Sequence, residues 1–248
     1  MLTRRGLLTL GATGMFAGLA YGGVILGRRL LEPALAFEPM PGLAGFRRLY
    51  GGDLSAGRNP AFMDLGGGSS DASDAAPDCA ALFAAGTPQG AVPIAYFSDA
   101  RCVFCRSISP MLKEFGRTEG VRVTWHELPL LGPASDVAAR ATLAAALQGA
   151  QTEVHHRLMG TPFLATEAYL RQLANGLDLD AERLLQDMQS DAVDRQLART
   201  AALARQFGFF GTPGLVIGRT VVLGNLTERR LRRILAAERA EPEPLPCG

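Results

Sequence analysis

From residue 90 onward, short apolar runs alternate with segments that have the apolar spacing of helices. Residues 92–97 form an apolar, partly aromatic run of strand length, and residues 121–126 alternate apolar and polar positions as a second strand would. Between them, apolar residues share one helical face from Cys102 to about residue 117, with Pro110 inside the segment. The pattern therefore predicts two parallel strands joined by a helix that kinks at the proline.

A helical block is predicted next, over about residues 135–207. It rests on apolar positions at helical spacing and on candidate N-terminal caps. The predicted helices are 136–149 after Ser135, 167–175 after Thr166, a helix after Asp180, and about 191–207.

Strand character returns after this block. Residues 215–217 and 220–223 are apolar runs separated by the dipeptide Gly218-Arg219, which predicts a tight hairpin. Thr227 is a candidate cap for a closing helix that ends near residue 239. The order is strand–helix–strand, a helical insertion, then two strands and a helix, which predicts an α/β fold.

Residues 1–36 have the character of a targeting segment. Arg4-Arg5 precedes an uncharged stretch over residues 6–27, and the segment ends in Ala34-Leu35-Ala36, which suits a signal peptidase. The start is similar to the bacterial twin-arginine export signal. An uncleaved membrane anchor is the alternative, because 22 uncharged residues can span a bilayer. Either alternative places the remaining chain outside the cytoplasm, in the periplasm or anchored at the outer face of the inner membrane.

The segments on either side of the predicted domain have linker composition. Residues 37–88 are rich in Gly, Ser and Asp and lack a regular apolar pattern. We expect an irregular arm there, with short ordered pieces around Phe46 and Phe62. The predicted domain then covers residues 89–240, and residues 241–248 form a proline-rich tail.

Composition and charge narrow the possible functions only slightly. The 248 residues are 48% hydrophobic, which is enough for the core of one domain. Lys and Arg number 25 against 24 Asp and Glu, for a formal net charge of +1. Since neither sign of charge dominates, nothing indicates an acidic partner, and we expect no nucleic-acid partner.

Cys102 and Cys105 form a Cys-x-x-Cys motif between the first predicted strand and its helix. The first turn of a helix offers unpaired N–H groups and the positive end of the helix dipole, which stabilise a thiolate on Cys102. Cys105 lies one turn further on, where it can resolve a mixed disulfide. Zinc is disfavoured, because a structural site needs four ligands and the sequence has no second Cys-x-x-Cys. We therefore expect no metal and no cofactor other than this redox-active disulfide.

Residues 211–214, Gly-Thr-Pro-Gly, come directly before the predicted strand 215–217. A cis bond before proline costs little compared with other cis peptide bonds. A cis bond at Pro213 would expose the backbone of Thr212 to an extended substrate. A trans turn is the alternative, since trans is the usual state of such bonds, but the strand and Cys-x-x-Cys context favours cis.

Three separated motifs resemble those of DsbA-like thiol–disulfide oxidoreductases in the thioredoxin superfamily. They are residues 97–106 around the cysteines, residues 127–135 followed by 138–140, and residues 207–213. The resemblance spans roughly residues 90–240. It implies a thioredoxin fold with an all-helical insertion, catalytic roles for Cys102 and Cys105, and Pro213 as a cis-proline.

Further candidate site residues lie beside these motifs. Val103 and Phe104, together with Thr212 and Pro213, are candidates for contact with substrate, although packing beside the site is an equal alternative for Phe104. Asp99 either tunes the cysteine pair or serves as a cap or turn residue.

Cys79 and Cys247 are candidates for a structural disulfide that ties the arm to the tail. Such a bond would close a long loop, which stabilises by constraining the unfolded chain. Two unpaired thiols, or an intermolecular bridge through Cys247, are the alternatives.

The leading functional hypothesis is a periplasmic oxidoreductase that exchanges its disulfide with cysteines of exported proteins and is served by a membrane redox partner. Val103-Phe104 lacks the proline–histidine pair of strongly oxidising family members, and Thr212 is frequent in reductase and isomerase branches. The direction of electron flow therefore stays open. The alternatives are a reductase for metal or haem delivery, and a non-catalytic binding domain whose Cys102–Cys105 bond is structural.

Overall fold

The computed structural model describes residues 34–56, 77–83, 90–241 and 244–246. The predicted export signal or anchor over residues 1–36 falls almost wholly outside this range, and so does the piece expected around Phe62. Within the described part, no helix has both the length and the apolar character that crossing a bilayer requires.

One mixed sheet of six strands organises the described residues. The strands are β1 (Glu38–Pro39), β2 (Arg47–Tyr50), β3 (Val92–Ser98), β4 (Val121–Glu127), β5 (Gly214–Ile217) and β6 (Thr220–Leu223). They lie in the order β1-β2-β6-β5-β3-β4. β3 is parallel to β4, and β2 is parallel to β6, whereas β5 is antiparallel to both β3 and β6.

Eight helices are described, and five of them follow one another between β4 and β5. The helices are α1 (Cys79–Leu82), α2 (Cys105–Thr118), α3 (Pro133–Ala146), α4 (Gln151–Gly160), α5 (Glu167–Asn175), α6 (Ala181–Asp187), α7 (Asp191–Gln206) and α8 (Glu228–Ala240). The predicted class is confirmed: a thioredoxin-like α/β fold with an all-helical insertion.

β3 positions the site. All seven of its residues are buried, and it pairs with β4 on one side and β5 on the other. A run of apolar residues without polar alternation is typical of a strand covered on both faces. The end of β3, where the Cys-x-x-Cys loop begins, is therefore fixed from both sides.

Several helix boundaries differ from the predictions. α2 begins at Cys105 rather than Cys102, because residues 99–104 form a turn before it. α3 begins at Pro133 rather than after Ser135, with Gly132 as its N-terminal cap. Gly132 has φ +100°, a conformation that favours glycine, and proline is favoured at the first helical position. Ser135 consequently lies in the first turn and does not cap the helix.

Three other predicted caps are confirmed. The side chains of Thr166, Asp180 and Thr227 each accept a hydrogen bond from a backbone N–H in the first turn of α5, α6 and α8, respectively. These caps satisfy N–H groups that have no partner within the helix. α4 was not separately predicted inside the helical block.

The ordered piece expected around Phe46 is confirmed, but it belongs to the sheet, which therefore extends beyond the predicted domain boundary at residue 89. β2 pairs along its full length with β6, from Arg47 opposite Thr220 to Tyr50 opposite Leu223. Phe46 packs edge-on against Phe207, with ring centroids 5.2 Å apart. Residues 38–50 thus belong to the same fold as the domain that follows.

Candidate functional site

Cys102 and Cys105 are joined by a disulfide just after β3, at the start of α2. Their Cα atoms are 5.2 Å apart. The backbone N–H of Cys105 donates to Sγ of Cys102 over 3.1 Å. After reduction, this N–H and the helix dipole would stabilise negative charge on the Cys102 sulfur. Both cysteines are 0% exposed, so an incoming thiolate needs the surrounding chain to move.

The Asp99 carboxylate holds the turn that carries Cys102. It accepts hydrogen bonds from the Arg101 N–H at 2.7 Å and from the Ser135 hydroxyl at 2.7 Å. Its other oxygen accepts from the N–H groups of Leu130 and Leu131, at 2.8 and 2.9 Å. The end of β3 is thereby tied to the loop between β4 and α3. Asp99 is thus a turn residue, as one alternative expected, and it also bridges two loops.

The electrostatic state of Asp99 reflects two opposed effects. Burial raises the pKa of the Asp99 carboxyl, and the hydrogen bonds donated by Ser135 and by three backbone N–H groups oppose that rise. All four partners donate, which suits an ionised carboxylate. Asp99 makes no hydrogen bond to the first turn of α2, whose cap is Phe104 without a side-chain bond.

The Thr212–Pro213 peptide bond is cis, and residues 211–214 are buried. The carbonyl oxygen of Thr212 lies 3.4 Å from Sγ of Cys102. The structure therefore brings together the two motifs, which stand 110 residues apart in the sequence. The Thr212 hydroxyl is buried and has no hydrogen-bond partner among the described residues.

Two exposed apolar side chains adjoin these motifs in the chain. Val103, between the cysteines, is 66% exposed, and Phe104 is half-buried. Phe210, two residues before Thr212, is 48% exposed and was not among the predicted site residues. Large exposed apolar side chains close together on a surface are typical of interaction sites.

A buried chain of polar side chains reaches Cys105 and was not predicted. Oε1 of Glu127 lies 2.7 Å from Nδ1 of His155, and Nε2 of His155 lies 3.0 Å from Oγ of Ser109. Ser109 is 3.5 Å from the hydroxyl of Tyr96, which donates to the carbonyl oxygen of Cys105 over 3.2 Å. Burial raises the pKa of Tyr96, so its hydroxyl stays protonated and remains a donor. This series of hydrogen-bonded side chains links β4, α4, α2 and β3 and ends at the backbone of Cys105.

The remaining predicted site residues lie elsewhere. Cys79 is half-buried at the start of α1, and its predicted partner Cys247 is outside the described residues. In the part of the chain that is described, no group of three or more His, Cys, Asp or Glu side chains is placed to hold a metal ion.

Comparisons with known proteins agree with this geometry. The DSBA-like thioredoxin domain family matches residues 93–236, more than half of the chain. The chain is similar to the crystal structure of a thioredoxin-like oxidoreductase from Silicibacter pomeroyi, with 32% sequence identity and a TM-score of 0.60. That match covers 68% of this chain and 100% of the other.

More distant structures share the fold alone. The catalytic domain of Proteus mirabilis ScsC is 24% identical, with a TM-score of 0.56, and the match covers 65% of this chain and 94% of that one. The thiol-disulfide exchange protein α-DsbA2 from Wolbachia pipientis is 22% identical, with a TM-score of 0.55, and the match covers 59% of this chain and 81% of that one.

Among curated proteins, the chain is similar to part of the Na(+)/H(+) antiporter NhaA 3 of Salinispora tropica. The two are 30% identical over 131 residues, which is 52% of this chain. The match spans only 20% of the antiporter's length, so it concerns a minor part of that protein.

Proposed function

We propose that this chain, which belongs to the DSBA-like thioredoxin domain family, is a thiol–disulfide oxidoreductase that works in the periplasm. There it exchanges the Cys102–Cys105 disulfide with cysteines of exported proteins, and a membrane redox partner restores its oxidation state. The observation that carries the proposal is the N–H of Cys105 directed at Sγ of Cys102 over 3.1 Å, at the first turn of α2. A donor in this position stabilises Cys102 as the leaving and attacking sulfur.

The exchange follows from this arrangement in two displacements. A substrate thiolate attacks Sγ of Cys102, a substrate–Cys102 disulfide forms, and Cys105 leaves as a thiolate. A second substrate thiolate then attacks the substrate sulfur of that mixed disulfide, and Cys102 leaves as a thiolate beside the Cys105 N–H. The substrate has lost two electrons and the cysteine pair has gained them. The same steps in reverse describe a reductase.

Thr212, Pro213, Val103 and Phe104 are proposed to contact the substrate, and Asp99 is proposed to tune the pair by fixing the turn before Cys102. The closeness of the Thr212 carbonyl to Sγ of Cys102 and the exposure of Val103 support these roles. Pairing of Cys79 with Cys247 is proposed as a separate structural disulfide. A peptide map of the unreduced protein checks that pairing.

The reduction potential of the Cys102–Cys105 pair tests the proposal. The full chain is equilibrated with glutathione buffers, and a Cys102→Ser/Cys105→Ser variant corrects for the other cysteines. A value around −120 mV supports a donor of disulfides, whereas a value around −270 mV supports the alternative reductase for metal or haem delivery. A pair that glutathione cannot reduce under native conditions contradicts both and leaves a structural disulfide.

A trapping experiment identifies the substrates. In Cys105→Ser the Cys102 thiolate can still attack a disulfide of an exported protein and release one of its sulfurs as a thiolate. Because the resolving sulfur is missing, the mixed disulfides between Cys102 and exported proteins should accumulate. Cys102→Ser is the matched control and should trap none of them.

A further inference from the structure

The residues that follow β2 run across the end of the sheet at which the disulfide lies. We call residues 51–56 the strap. The N–H of Gly52 donates to the carbonyl of Asn225 over 2.8 Å, and the N–H of Asn225 donates to the carbonyl of Asp53 over 2.7 Å. The strap thus continues by backbone pairing from β2 past the end of β6 and on to the cis-proline loop.

The strap then pairs with Thr212 as an antiparallel strand would. Ser55 and Thr212 form an isolated antiparallel bridge, in which each N–H donates to the other's carbonyl over 2.8 Å. The Thr212 carbonyl that accepts from Ser55 is the one that lies 3.4 Å from Sγ of Cys102. The strap therefore occupies both backbone hydrogen-bonding groups of Thr212, whose carbonyl lies beside the reactive sulfur.

The fit between strap and loop is close. A Cβ on Gly211 would lie 2.6 Å from a methyl carbon of Leu54 and 2.9 Å from the carbonyl oxygen of Ser55. Such a separation is shorter than van der Waals contact. Backbone therefore lies against backbone along residues 211–212, which leaves no room for a second peptide while the strap is in place.

We propose that the backbone of residues 211–212 is a peptide-binding groove, that the strap is its built-in occupant, and that a substrate gains access to Cys102 by displacing the strap. This inference rests on the proposed function, because it concerns the regulation of the same site. An extended substrate segment would make with Thr212 the two hydrogen bonds that Ser55 makes now. Replacement of the strap by such a segment therefore loses no backbone hydrogen bond in the groove.

This competition favours one class of substrate. A segment that is already unfolded can offer its backbone to Thr212, whereas a segment held in its own folded structure cannot match the bonds of the strap. The burial of both cysteines is consistent with a closed site, since their side chains and backbone are 0% exposed in this conformation. The device would direct the disulfide to cysteines in extended, unfolded chains.

A matched pair of strap variants provides the first test. Ser55→Pro removes the N–H that donates to Thr212, whereas Ser55→Ala retains both backbone hydrogen bonds. The readout is the rate constant for the reaction of the oxidised full chain with a short unstructured peptide that contains one reduced cysteine. We expect Ser55→Pro to react about 5-fold faster than wild type, from the loss of one hydrogen bond. Ser55→Ala should react at the wild-type rate.

Hydrogen exchange of the wild-type chain provides a second test that needs no variant. The probe is the same peptide with serine in place of its cysteine, added in saturating amount. We expect the Ser55 and Asn225 N–H groups to exchange faster when the strap leaves, while the Thr212 N–H stays protected by the peptide. Unchanged exchange at Ser55 with the peptide bound would overturn the inference.

The outcomes separate this inference from the proposed function. If wild type, Ser55→Ala and Ser55→Pro all exchange disulfides at one rate, the strap does not control access, and the oxidoreductase proposal stands. If none of the three reacts with the reduced peptide or with glutathione, both proposals are overturned.

Discussion

The disulfide lies between two regions that are held in different ways. On one side, the turn over residues 99–104 is fixed by a buried carboxylate, that of Asp99, which accepts four hydrogen bonds. On the other side, the strap over residues 51–56 is held by backbone bonds to Asn225 and Thr212. The residues of the strap are half-buried or exposed, whereas Asp99 is buried.

The turn over residues 99–104 therefore positions the sulfur of Cys102, whereas the strap lies where we propose that a substrate binds. Arg106 also holds this turn, because its guanidinium donates to the carbonyls of Ala100, Met159 and Thr161. Charged side chains with several buried partners have one good arrangement and are costly to disturb. A backbone bridge such as that of Ser55 with Thr212 can be replaced by any extended chain. The fixed side should therefore depend on side chains, and the exchangeable side should not.

Removal of the Asp99 carboxylate should have the largest effect on stability. Asp99→Ala leaves the buried N–H of Leu130 and the Ser135 hydroxyl without their acceptor. We expect a loss of about 3 kcal/mol or more in the free energy of unfolding, since several hydrogen bonds to a charged group are lost together. Urea unfolding of the oxidised protein measures it.

The control for this variant is Asp136→Ala, one turn into α3. Asp136 accepts from Arg140 at a partly exposed position, so its removal should cost no more than about 1 kcal/mol. Equal losses for the two variants would contradict the special role of Asp99 in holding the turn.

Arg47 anchors the arm through its side chain, and removal of its buried partner Glu238 should have the second-largest effect. The buried Glu238 carboxylate accepts from Arg47 at 2.9 Å, from the Thr220 hydroxyl at 2.6 Å and from the Arg219 N–H at 2.9 Å. Glu238→Ala should lower the free energy of unfolding by about 2 kcal/mol, because it leaves buried donors unpaired. Thermal and urea unfolding check the value.

Glu238→Ala also tests whether β2 and the strap are held independently, and Glu241→Ala is its control. Glu241 also contacts Arg47, but it is exposed, so Glu241→Ala should cost under about 1 kcal/mol. If β2 and the strap are held independently, Glu238→Ala should leave the reaction rate with a cysteine peptide unchanged. A rate as high as that of Ser55→Pro would show that the anchorage of β2 also holds the strap in the groove.

The parts of the fold and of the site that depend on residues close together in the sequence could be predicted from the sequence. The apolar run before Cys102, the helical spacing after it and the caps Thr166, Asp180 and Thr227 are local signals, and their physics acts within one or two turns. The placement of Cys102 beside Thr212 came from the family resemblance and not from spacing.

The parts that depend on distant partners could not be predicted. Asp99 binds residues some thirty positions away, and a single acidic residue after a strand equally suits a simple cap. His155 pairs with Glu127 in the same way, across 28 residues of sequence. Strand β2 was missed because its partner β6 is over 170 residues further along. Glycine-rich composition also concealed the strap, since backbone pairing needs no apolar pattern.

The smallest predicted effect concerns acid, which should lower the stability of the fold without changing the hold of the strap. Burial, followed by the charges of His155 and Lys113, lowers the pKa of His156 from 6.5 to about 4. The unfolded chain therefore binds this proton below about pH 6.5, whereas the native chain stays neutral there to about pH 4. The free energy of unfolding should fall as the pH drops from 6.5 towards 4 and should be unaffected by this group above 6.5.

His156 is only half-buried, so we expect its effect at pH 5 to be under about 1 kcal/mol. His156→Gln removes the contribution of His156 to the loss of stability in acid. Buried His126, whose pKa is also lowered by burial, contributes equally in both proteins. Urea unfolding at pH 7 and pH 5 measures how far the free energy of unfolding falls in each protein, and equal falls would contradict the assignment to His156.

The backbone bonds of the strap do not titrate in this range. The ratio of the peptide reaction rates of Ser55→Pro and Ser55→Ala should therefore stay constant from pH 7 to pH 5, even as stability declines. A ratio that changes with pH would mean that titrating side chains also hold the strap, and that the two sides of the disulfide are not separately controlled.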